Sequence, residues 1–273
     1  MITLKTAYEA CRNTFNEYGV DEAEFKALCV VCEAYGIKNS EFKLNEDKEI
    51  NPDVISPFIK PILDGAPLQY ALGKWDFYES EFFVGEGVLI PRPETEELVE
   101  LAIKKAQNLS SPFIYDLCAG SGCIGISVAK KIKDAKVFCV EKSKKAFEYL
   151  EKNARGIENL TTVLADINDE IDLPDADIII SNPPYIKTGD IKTLQSELSF
   201  EPKMALDGGA DGLDFYRIIK DKYTSKLKKN GLFLFEIGNE QGNDIKAMFG
   251  DFKSVKIIKD IYGNERIAEI KKD

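Results

Sequence analysis

The fold of this chain is decided by Phe113-Ile-Tyr-Asp-Leu-Cys-Ala-Gly120-Ser-Gly-Cys-Ile-Gly125. An apolar run typical of a buried strand leads into a glycine-rich loop, which opens a predicted helix. Gly120 and Gly122 let the backbone approach a ligand, and Gly125 lets the helix pack closely on the strand. The spacing of these glycines also satisfies the dinucleotide fingerprint, so the loop predicts a nucleotide-like cofactor without specifying its class.

Strands and helices alternate regularly from this stretch onward. Such alternation predicts an α/β fold with a mostly parallel, doubly wound, Rossmann-like sheet. The predicted strands are Phe113–Cys118, Lys136–Glu141, Thr161–Asp166, Ala176–Asn182 and Gly231–Gly238, and the predicted helices are Cys123–Lys133, Lys144–Arg155 and Asp214–Lys228. The last two β-like runs, Ser254–Asp260 and Arg266–Lys271, predict an antiparallel C-terminal hairpin.

The chain before residue 96 predicts two further parts. Short amphipathic helices are expected at Thr6–Tyr18, Asp21–Tyr35 and Asn51–Leu63, with Asp21 as the N-cap of the second. Aromatic and β-branched residues from Trp75 to Ile90 then indicate a β-hairpin. We therefore expect a helical domain over 1–75, a β-hairpin linker over 76–95 and the α/β domain over 96–273. The helical part is either a docking module or a stabilising cap.

Composition excludes several classes of protein. The formal net charge of −11 argues against a protein that wraps nucleic acid. The absence of histidine from the sequence excludes a Ser-His-Asp triad. Six cysteines lack the regular spacing of a metal or disulfide framework, so we predict no metal and a reducing, cytoplasmic compartment. Without a signal-peptide pattern or a long apolar run, we also predict no membrane association.

Polar residues follow the predicted strands at their carboxyl ends, where open α/β sheets bind ligands. Glu141 ends the second strand, where a carboxylate accepts the hydroxyls of a ribose; otherwise it is a surface glutamate. Asp166 ends the third strand and is a candidate acceptor for an adenine amino group, with Ile167 packing on the ring. The candidate cofactor-binding residues are Ala119, Gly120, Ser121, Gly122, Cys123, Glu141, Asp166, Ile167 and Asn182.

The stretch Asn182-Pro183-Pro184-Tyr185 directly follows a buried strand. The prolines fix two φ angles and remove two N–H donors, so the Asn182 side chain and the Pro183 carbonyl are rigid acceptors. Two fixed acceptors suit a planar NH2 group, and Tyr185 offers a flat face for stacking. These four residues are candidate catalytic and substrate-binding residues for methyl transfer to an amide or amino nitrogen. The simpler interpretation is a strand-ending turn.

Two cofactor classes compete for the glycine-rich loop. A dinucleotide enzyme would need a hydride-transfer site, and the chain has no histidine to serve it. A methyltransferase interpretation also accounts for the stretch Asn182–Tyr185 and for the terminal hairpin. S-adenosyl-L-methionine is therefore the cofactor that the sequence favours.

With these residues in place, the chain resembles the protein-glutamine N5-methyltransferases that act on peptide chain release factors. The similarity runs nearly end to end, through Pro67-Leu-Gln-Tyr70, Gly73 to Tyr78, Leu89-Ile-Pro-Arg-Pro-Glu-Thr-Glu96, Asp116 to Gly122, Ser181 to Ile186, Glu201-Pro202, Asp211-Gly-Leu213 and Glu236-Ile-Gly238. The Asn-Pro-Pro-Tyr motif alone is shared with DNA adenine methyltransferases. The proline-rich stretch from Leu89 to Glu96 is more specific.

The resemblance implies S-adenosyl-L-methionine as methyl donor, a five-helix N-terminal domain and a target glutamine in the Gly-Gly-Gln motif of bacterial release factors. Methylation of the release factor is expected to modify translation termination. Family members commonly carry threonine where Ala119 stands and aspartate where Glu141 stands. The missing hydroxyl removes one hydrogen bond, worth about 0.5–1.5 kcal/mol net, so we expect cofactor binding to be weakened at most.

Two other functions stay open. A nucleic-acid amino-methyltransferase would use the same motif, but the acidic charge and the lack of a large extra domain disfavour it. A non-catalytic protein that binds S-adenosyl-L-methionine is disfavoured by the intact stretch Asn182–Tyr185. The segment Ile186–Asp214 is too long for a simple connection and is a candidate lid over the target glutamine, braced by Glu201-Pro202.

Overall fold

The computed structural model describes residues 1–193 and 200–273. The described residues form two compact units. One contains Met1–Lys74 and Phe200, and the other contains residues 75–193 and 201–273. The segment predicted to act as a lid lies partly outside the described residues.

The smaller unit is helical. Its helices are α1 (Leu4–Glu17), α2 (Ala23–Ala34), α3 (Phe42–Asn45), α4 (Ser56–Leu63) and α5 (Leu68–Leu72), and the short strands β1 (Ile2–Thr3) and β2 (Glu49–Ile50) pair antiparallel. The buried residues of α1 are Leu4, Ala7, Cys11 and Phe15, which recur at helical spacing and form one apolar face. Helical periodicity therefore accounts for this unit.

Two predictions in the smaller unit were wrong. Asp21 does not cap α2, because that helix begins at Ala23 and its N-cap position is Glu22, which has a φ of 54° and makes no side-chain capping bond. The predicted helix Asn51–Leu63 is broken into a 3₁₀ turn, Pro52–Val54, and α4. Pro57 explains the break, since a proline lacks an N–H and its ring clashes with the carbonyl four residues earlier.

The larger unit contains a seven-stranded sheet and a separate two-stranded hairpin. The hairpin is β3 (Lys74–Phe77) with β4 (Ser80–Phe83), and the sheet strands are β5 (Phe113–Leu117), β6 (Lys136–Glu141), β7 (Leu160–Leu164), β8 (Ala176–Ser181), β9 (Leu227–Glu236), β10 (Ser254–Lys259) and β11 (Glu265–Lys271). The sheet order is β7-β6-β5-β8-β9-β11-β10. In this sheet β11 pairs antiparallel with both β9 and β10, whereas β5 to β9 pair parallel with one another. This confirms the predicted α/β fold with an antiparallel C-terminal hairpin.

Helices cover both faces of this sheet. They are α6 (Thr95–Ala106), α7 (Cys123–Lys131), α8 (Lys144–Asn153), α9 (Asp214–Tyr223) and α10 (Gly242–Met248). Successive strand residues point to opposite faces, so Ile178 and Ile180 pack in a core with α6 and α7, whereas Ile179 packs in a core with α9 and α10. Phe77 and Phe82 of the hairpin are buried in the first of these cores.

The boundary between α9 and β9 was predicted wrongly. The helix ends at Tyr223 rather than Lys228, and the strand begins at Leu227 rather than Gly231. Leu227 is buried and pairs with Ala176, and the register of the two strands then shifts before Ile178 pairs with Leu232. The irregularity hides the start of the strand from any pattern with a period of two. Among the described residues, no helix is long and apolar enough to cross a membrane.

The order of the strands indicates where on the sheet a ligand would bind. Connections run outward in opposite directions from β5 and β8, which are direct neighbours with Leu117 beside Ser181. Ligands of such sheets bind beyond the carboxyl ends of the strands at this switch point. The glycine-rich loop after β5 and Asn182 after β8 therefore emerge next to each other.

Candidate active site

A cavity of about 290 Å³ opens at this edge of the sheet. Its volume lies near the lower end of the range for small-molecule sites. Its lining includes nine of the residues predicted from the sequence, which are Ala119, Gly120, Ser121, Cys123, Glu141, Asp166, Ile167, Asn182 and Pro184. Gly122, Pro183 and Tyr185 are not part of this lining.

The glycine-rich loop is held in one conformation. Gly120 and Gly122 have φ angles of 57° and 81°, which favour glycine. A Cβ at Gly120 would meet only Val88, 4.0 Å away, so the backbone there is open to a ligand. A Cβ at Gly122 would lie 2.4 Å from Leu150 Cδ1, so this second glycine serves packing.

Asp116 anchors the first turn of α7 beneath the loop. Its Oδ2 accepts the Gly125 N–H at 2.8 Å, and its side chain is fully buried. Burial raises the pKa of Asp116 to about 7. Its Oδ1 has no hydrogen-bond partner among the described residues. Asp116 was not among the predicted site residues, although it begins the family motif Asp116 to Gly122.

Glu141 ties the loop to the start of α8. Its Oε2 accepts the Gly120 N–H at 2.8 Å, and its Oε1 accepts the Ser143 N–H at 2.6 Å. Burial raises the pKa of Glu141, against the opposing effect of these backbone hydrogen bonds. A carboxylate has about four lone-pair sites, so Glu141 keeps capacity to accept from a ligand hydroxyl beside its backbone hydrogen bonds.

Asp166 and Ile167 both line the cavity. Asp166 Oδ2 forms an ion pair with Lys142 Nζ at 2.6 Å, and its Oδ1 accepts the Asn168 N–H at 2.9 Å. Ile167 is buried. Its apolar side chain is therefore available as one wall for a flat ring.

Asn182 and Tyr185 are fixed by separate contacts. The Asn182 Nδ2 donates to Thr95 Oγ1 at 3.3 Å, and the Tyr185 hydroxyl donates to Glu236 Oε1 at 3.3 Å. The Tyr185 carbonyl accepts from Gln241 Nε2 at 3.2 Å. Burial raises the pKa of Tyr185, so its hydroxyl keeps its proton. The motif is therefore rigid, as its prolines predict.

Two glycines let the following chain pack closely against the backbone of this motif. A Cβ at Gly208 would lie 2.7 Å from the Pro184 carbonyl oxygen, and a Cβ at Gly212 would lie 2.4 Å from the Tyr185 carbonyl oxygen. The chain after the motif pairs with the same region, because the Ile186 N–H donates to the Leu206 carbonyl at 3.0 Å. Larger residues at either glycine would displace the motif.

An ion pair that we only partly anticipated closes one wall. Arg92, which lines the cavity, pairs with Glu201, whose other oxygen accepts the Ile90 N–H at 2.9 Å. Glu201 was predicted only as a possible brace of the long loop. Here it holds the proline-rich stretch that precedes α6.

Sequence comparison identifies relatives over nearly the whole chain. A release factor glutamine methyltransferase from Thermodesulfovibrio yellowstonii is 34% identical, over 97% of this chain and 98% of that protein. A release factor glutamine methyltransferase from Flavobacterium psychrophilum is 36% identical, over 92% of this chain and 93% of that protein. The chain belongs to the release factor glutamine methyltransferase family. The predicted resemblance is therefore confirmed. A family model described as the methyltransferase small domain matches residues 98–209 of this family member.

Solved structures agree with the fold of this release factor glutamine methyltransferase family member. The ribosomal protein L11 methylase of Lactobacillus delbrueckii subsp. bulgaricus has a TM-score of 0.51 at 19% identity, covering 70% of this chain and 84% of its own. The precorrin-6Y C5,15-methyltransferase of Geobacter metallireducens GS-15 has a TM-score of 0.50 at 14% identity, covering 72% and 97%. Both likenesses support the class I methyltransferase fold.

The cavity of this family member fits S-adenosyl-L-methionine, the cofactor of its fold and family. The lining contains three acidic side chains, Glu141, Asp166 and Asp207, against two cations. Each cation is already paired, Arg92 with Glu201 and Lys142 with Asp166. Among the described residues, the lining therefore offers no unpaired cation for a pyrophosphate. Of the three carboxylates, Asp166 pairs with Lys142 and Asp207 with Lys203, so the charge of Glu141 is the one left over. That negative charge suits a ligand with a sulfonium, an ammonium and a carboxylate, whose net charge is positive.

Replacing Glu141 with alanine is expected to weaken S-adenosyl-L-methionine binding about 10- to 100-fold, the range for hydrogen bonds to a charged group. The change removes an acceptor in the cavity and also frees the Gly120 N–H. Titration calorimetry measures the dissociation constant directly. Glu151→Ala, an exposed glutamate on α8, is the matched control and should bind normally. An unaltered dissociation constant for Glu141→Ala would remove Glu141 from the cofactor site.

Proposed function

We propose that this protein transfers the methyl group of S-adenosyl-L-methionine to the N5 amide nitrogen of the glutamine in the Gly-Gly-Gln motif of peptide chain release factors. One observation carries the proposal. Asn182 and Pro184 line the same cavity as Gly120 and Glu141. A target amide beside Asn182 would therefore share one cavity with a methyl donor held by the loop and Glu141. The modification would act on translation termination.

The proposed catalysis depends on restricting the target NH2 group. An amide nitrogen is a poor nucleophile because its lone pair is delocalised into the carbonyl. Asn182 Oδ1 and the Pro183 carbonyl would accept its two hydrogens and aim the nitrogen along one direction. Positioning of this kind contributes up to about 7–11 kcal/mol to lowering a barrier. The bound cofactor supplies an electrophilic methyl group on a sulfonium.

The same acceptors stabilise the charge that develops during transfer. Positive charge gathers on the target nitrogen as it forms the new bond, and fixed carbonyl dipoles stabilise such charge without reorganising. Pro183 and Pro184 are buried, and Tyr185 is held by Gln241 and Glu236, so these dipoles keep their direction. The nitrogen needs no strong general base before the transfer. That requirement agrees with a sequence without histidine.

Asp166 and Ile167 are proposed to hold the adenine ring, and Glu141 the ribose hydroxyls. Ala119, Ser121 and Cys123 complete the cofactor wall in this scheme, with Gly122 acting through packing. Ile167 is buried at the cavity, which supports its assignment as the apolar wall. For Asp166 the adenine amino group would share the carboxylate with Lys142.

The helical part over 1–75 is proposed to dock the release factor, with 76–95 as linker and 96–273 as the methyltransferase domain. The smaller unit has exposed apolar side chains at Tyr18, Leu44 and Val54, which suit contact with a protein. The net charge of −11 supports a protein substrate rather than direct nucleic-acid contact. Free cysteines throughout the described residues suit the reducing cytoplasm.

The test is mass spectrometry of a bacterial release factor incubated with this protein and S-adenosyl-L-methionine. We expect the intact factor to gain the mass of one CH2 group, which peptide fragmentation places on the Gly-Gly-Gln glutamine. A short Gly-Gly-Gln peptide should be methylated less efficiently, since it lacks the surface for the helical unit. Cofactor binding without any gain in mass on the factor would reject the proposal. Methylation of a DNA or RNA sample instead would favour the nucleic-acid alternative.

A further inference from the structure

We propose that Thr95 and Glu236 are positioning residues, which fix the Asn182 amide so that its Oδ1 faces the target glutamine. This inference rests on the proposed function and adds two residues to its machinery. Neither residue touches the reacting atoms in the scheme above. Both would act through Asn182 and Tyr185.

A continuous chain of hydrogen bonds links the three residues. Glu236 Oε2 accepts the Thr95 hydroxyl at 2.6 Å, and Thr95 Oγ1 accepts from Asn182 Nδ2 at 3.3 Å. Thr95 and Glu236 are each only 2% exposed. Water therefore does not compete for these groups, and the geometry of each bond is set by the surrounding packing.

The direction of each bond follows from the chemistry of the carboxylate. Burial raises the pKa of Glu236, and the hydroxyls of Thr95 and Tyr185 together with the charge of Arg266 oppose that shift. As an ionised carboxylate, Glu236 only accepts hydrogen bonds, so the Thr95 hydroxyl donates to it. The distance of 2.6 Å is typical of a hydroxyl bound to an ionised carboxylate. The hydroxyl proton is thereby used, and Thr95 Oγ1 can only accept from Asn182. The Asn182 NH2 group is consequently the end that faces Thr95.

This order leaves the carbonyl end of the Asn182 amide for the substrate. Among the described residues, Asn182 Oδ1 has no hydrogen-bond partner, and Asn182 lines the cavity. A flipped amide would present its own NH2 group to the NH2 group of the target, and two donors repel. Glu236 therefore selects the productive orientation from two amide orientations of nearly equal shape.

Glu236 also holds the other end of the motif. Its Oε1 accepts the Tyr185 hydroxyl at 3.3 Å, and its own carbonyl accepts the Tyr216 hydroxyl at 2.8 Å. A glutamine at this position offers only one acceptor oxygen where the carboxylate offers two. Glu236→Gln would therefore keep the shape of the site and lose its fixed hydrogen-bond direction.

The hydroxyl of Thr95 is not used to cap its own helix. The N-cap position of α6 is Glu94, which makes no side-chain capping bond, and Thr95 instead binds a residue 141 positions later. Local helix stability therefore does not account for a threonine here. Serine should replace it, whereas valine, of the same shape, should not.

The first experiment measures steady-state methylation of a release factor by Thr95→Val, Thr95→Ser and Glu236→Gln. Thr95→Val and Glu236→Gln should lower kcat about 10²-fold, the scale of a misplaced reacting group, with little change in KM or in cofactor affinity. Thr95→Ser should recover most of the turnover that Thr95→Val loses. Ser127→Ala, which removes another buried hydroxyl of the same unit, controls for the loss of a buried group.

A double variant separates positioning from a general structural effect. If Thr95 acts through Asn182, Thr95→Val should cause no further loss of turnover in an Asn182→Ala background. Independent losses that multiply would overturn the proposal. So would a Thr95→Val enzyme with normal kcat, or a Thr95→Ser enzyme as slow as Thr95→Val.

A second measurement does not depend on turnover. In protein labelled with ¹⁵N-asparagine, the Asn182 side-chain NH2 signal, assigned from its loss in Asn182→Ala, should exchange slowly with water in the wild type and faster in Thr95→Val. Equal exchange in both proteins would overturn the positioning role, even if Thr95→Val folds poorly enough to confuse the kinetics. If the wild type methylates no release factor, the proposed function fails, and the exchange measurement still decides the positioning role.

Discussion

Replacing Asn182 with alanine is expected to lower kcat for release factor methylation by about 10²–10³-fold, the usual effect of removing one fixed group that stabilises transition-state charge. The variant loses the Oδ1 acceptor for the target NH2 group. Its affinity for S-adenosyl-L-methionine should stay nearly unchanged, because Glu141 and the glycine-rich loop make their contacts independently of Asn182. Single-turnover kinetics with the cofactor in excess measure the chemical step, and calorimetry measures the affinity.

Asn108→Ala is the matched control for this experiment. Asn108 follows α6 and donates its side chain to the Lys104 carbonyl at 2.9 Å, as an exposed residue outside the cavity lining. That variant should keep full turnover. Near-normal kcat in Asn182→Ala would refute the proposed mechanism. If Asn182→Ala lost cofactor affinity and kcat together, the main role of Asn182 would be to bind the cofactor.

The fold was largely accessible from the sequence because its signals are local. The continuous apolar run of β8 and the glycine-rich loop between β5 and α7 depend on residues close in the chain. Parallel strands joined by helices allow few orders, so the alternation already implied a doubly wound sheet. The start of β9 was predicted wrongly for the same reason, because a strand irregularity beside Ala176 breaks the local pattern.

From the sequence, site residues could be predicted only where they directly follow the end of a strand. Glu141 and Asn182 were found because the carboxyl edge of a parallel sheet gathers such residues. Thr95 and Glu236 were not predicted as site residues, since their hydrogen bond joins two elements 141 residues apart. Nothing local to either residue indicates the other. The hydrogen-bond direction in the site therefore required the tertiary structure.

Replacing Gly125 with alanine is expected to lower the stability of the protein strongly. A Cβ at this position would lie 2.3 Å from Cys139 Sγ and 3.0 Å from Asp116 Oδ2, all inside a fully packed core. Overpacking of this kind costs about 1–3 kcal/mol or more in the free energy of unfolding. The larger unit should lose about 2–4 °C in Tm for each kcal/mol, measured by calorimetry. Gly189→Ala, where a Cβ meets nothing within 4 Å, is the control and should melt normally.

The cause of this destabilisation can be isolated with Cys139. Removing its Sγ in Gly125→Ala/Cys139→Ala frees the space that the new methyl group needs, so the double variant should be more stable than the sum of the two single changes predicts. Independent, additive losses would show that Gly125 is needed for another reason, such as the contact of the new Cβ with Asp116 Oδ2 at 3.0 Å, which would disturb the bond from the residue 125 N–H. Because that bond fixes the first turn of α7 under the cofactor loop, a shifted helix should also weaken S-adenosyl-L-methionine binding. If the double variant regained its affinity for S-adenosyl-L-methionine, the packing at Gly125 would be shown to determine the shape of the cofactor site.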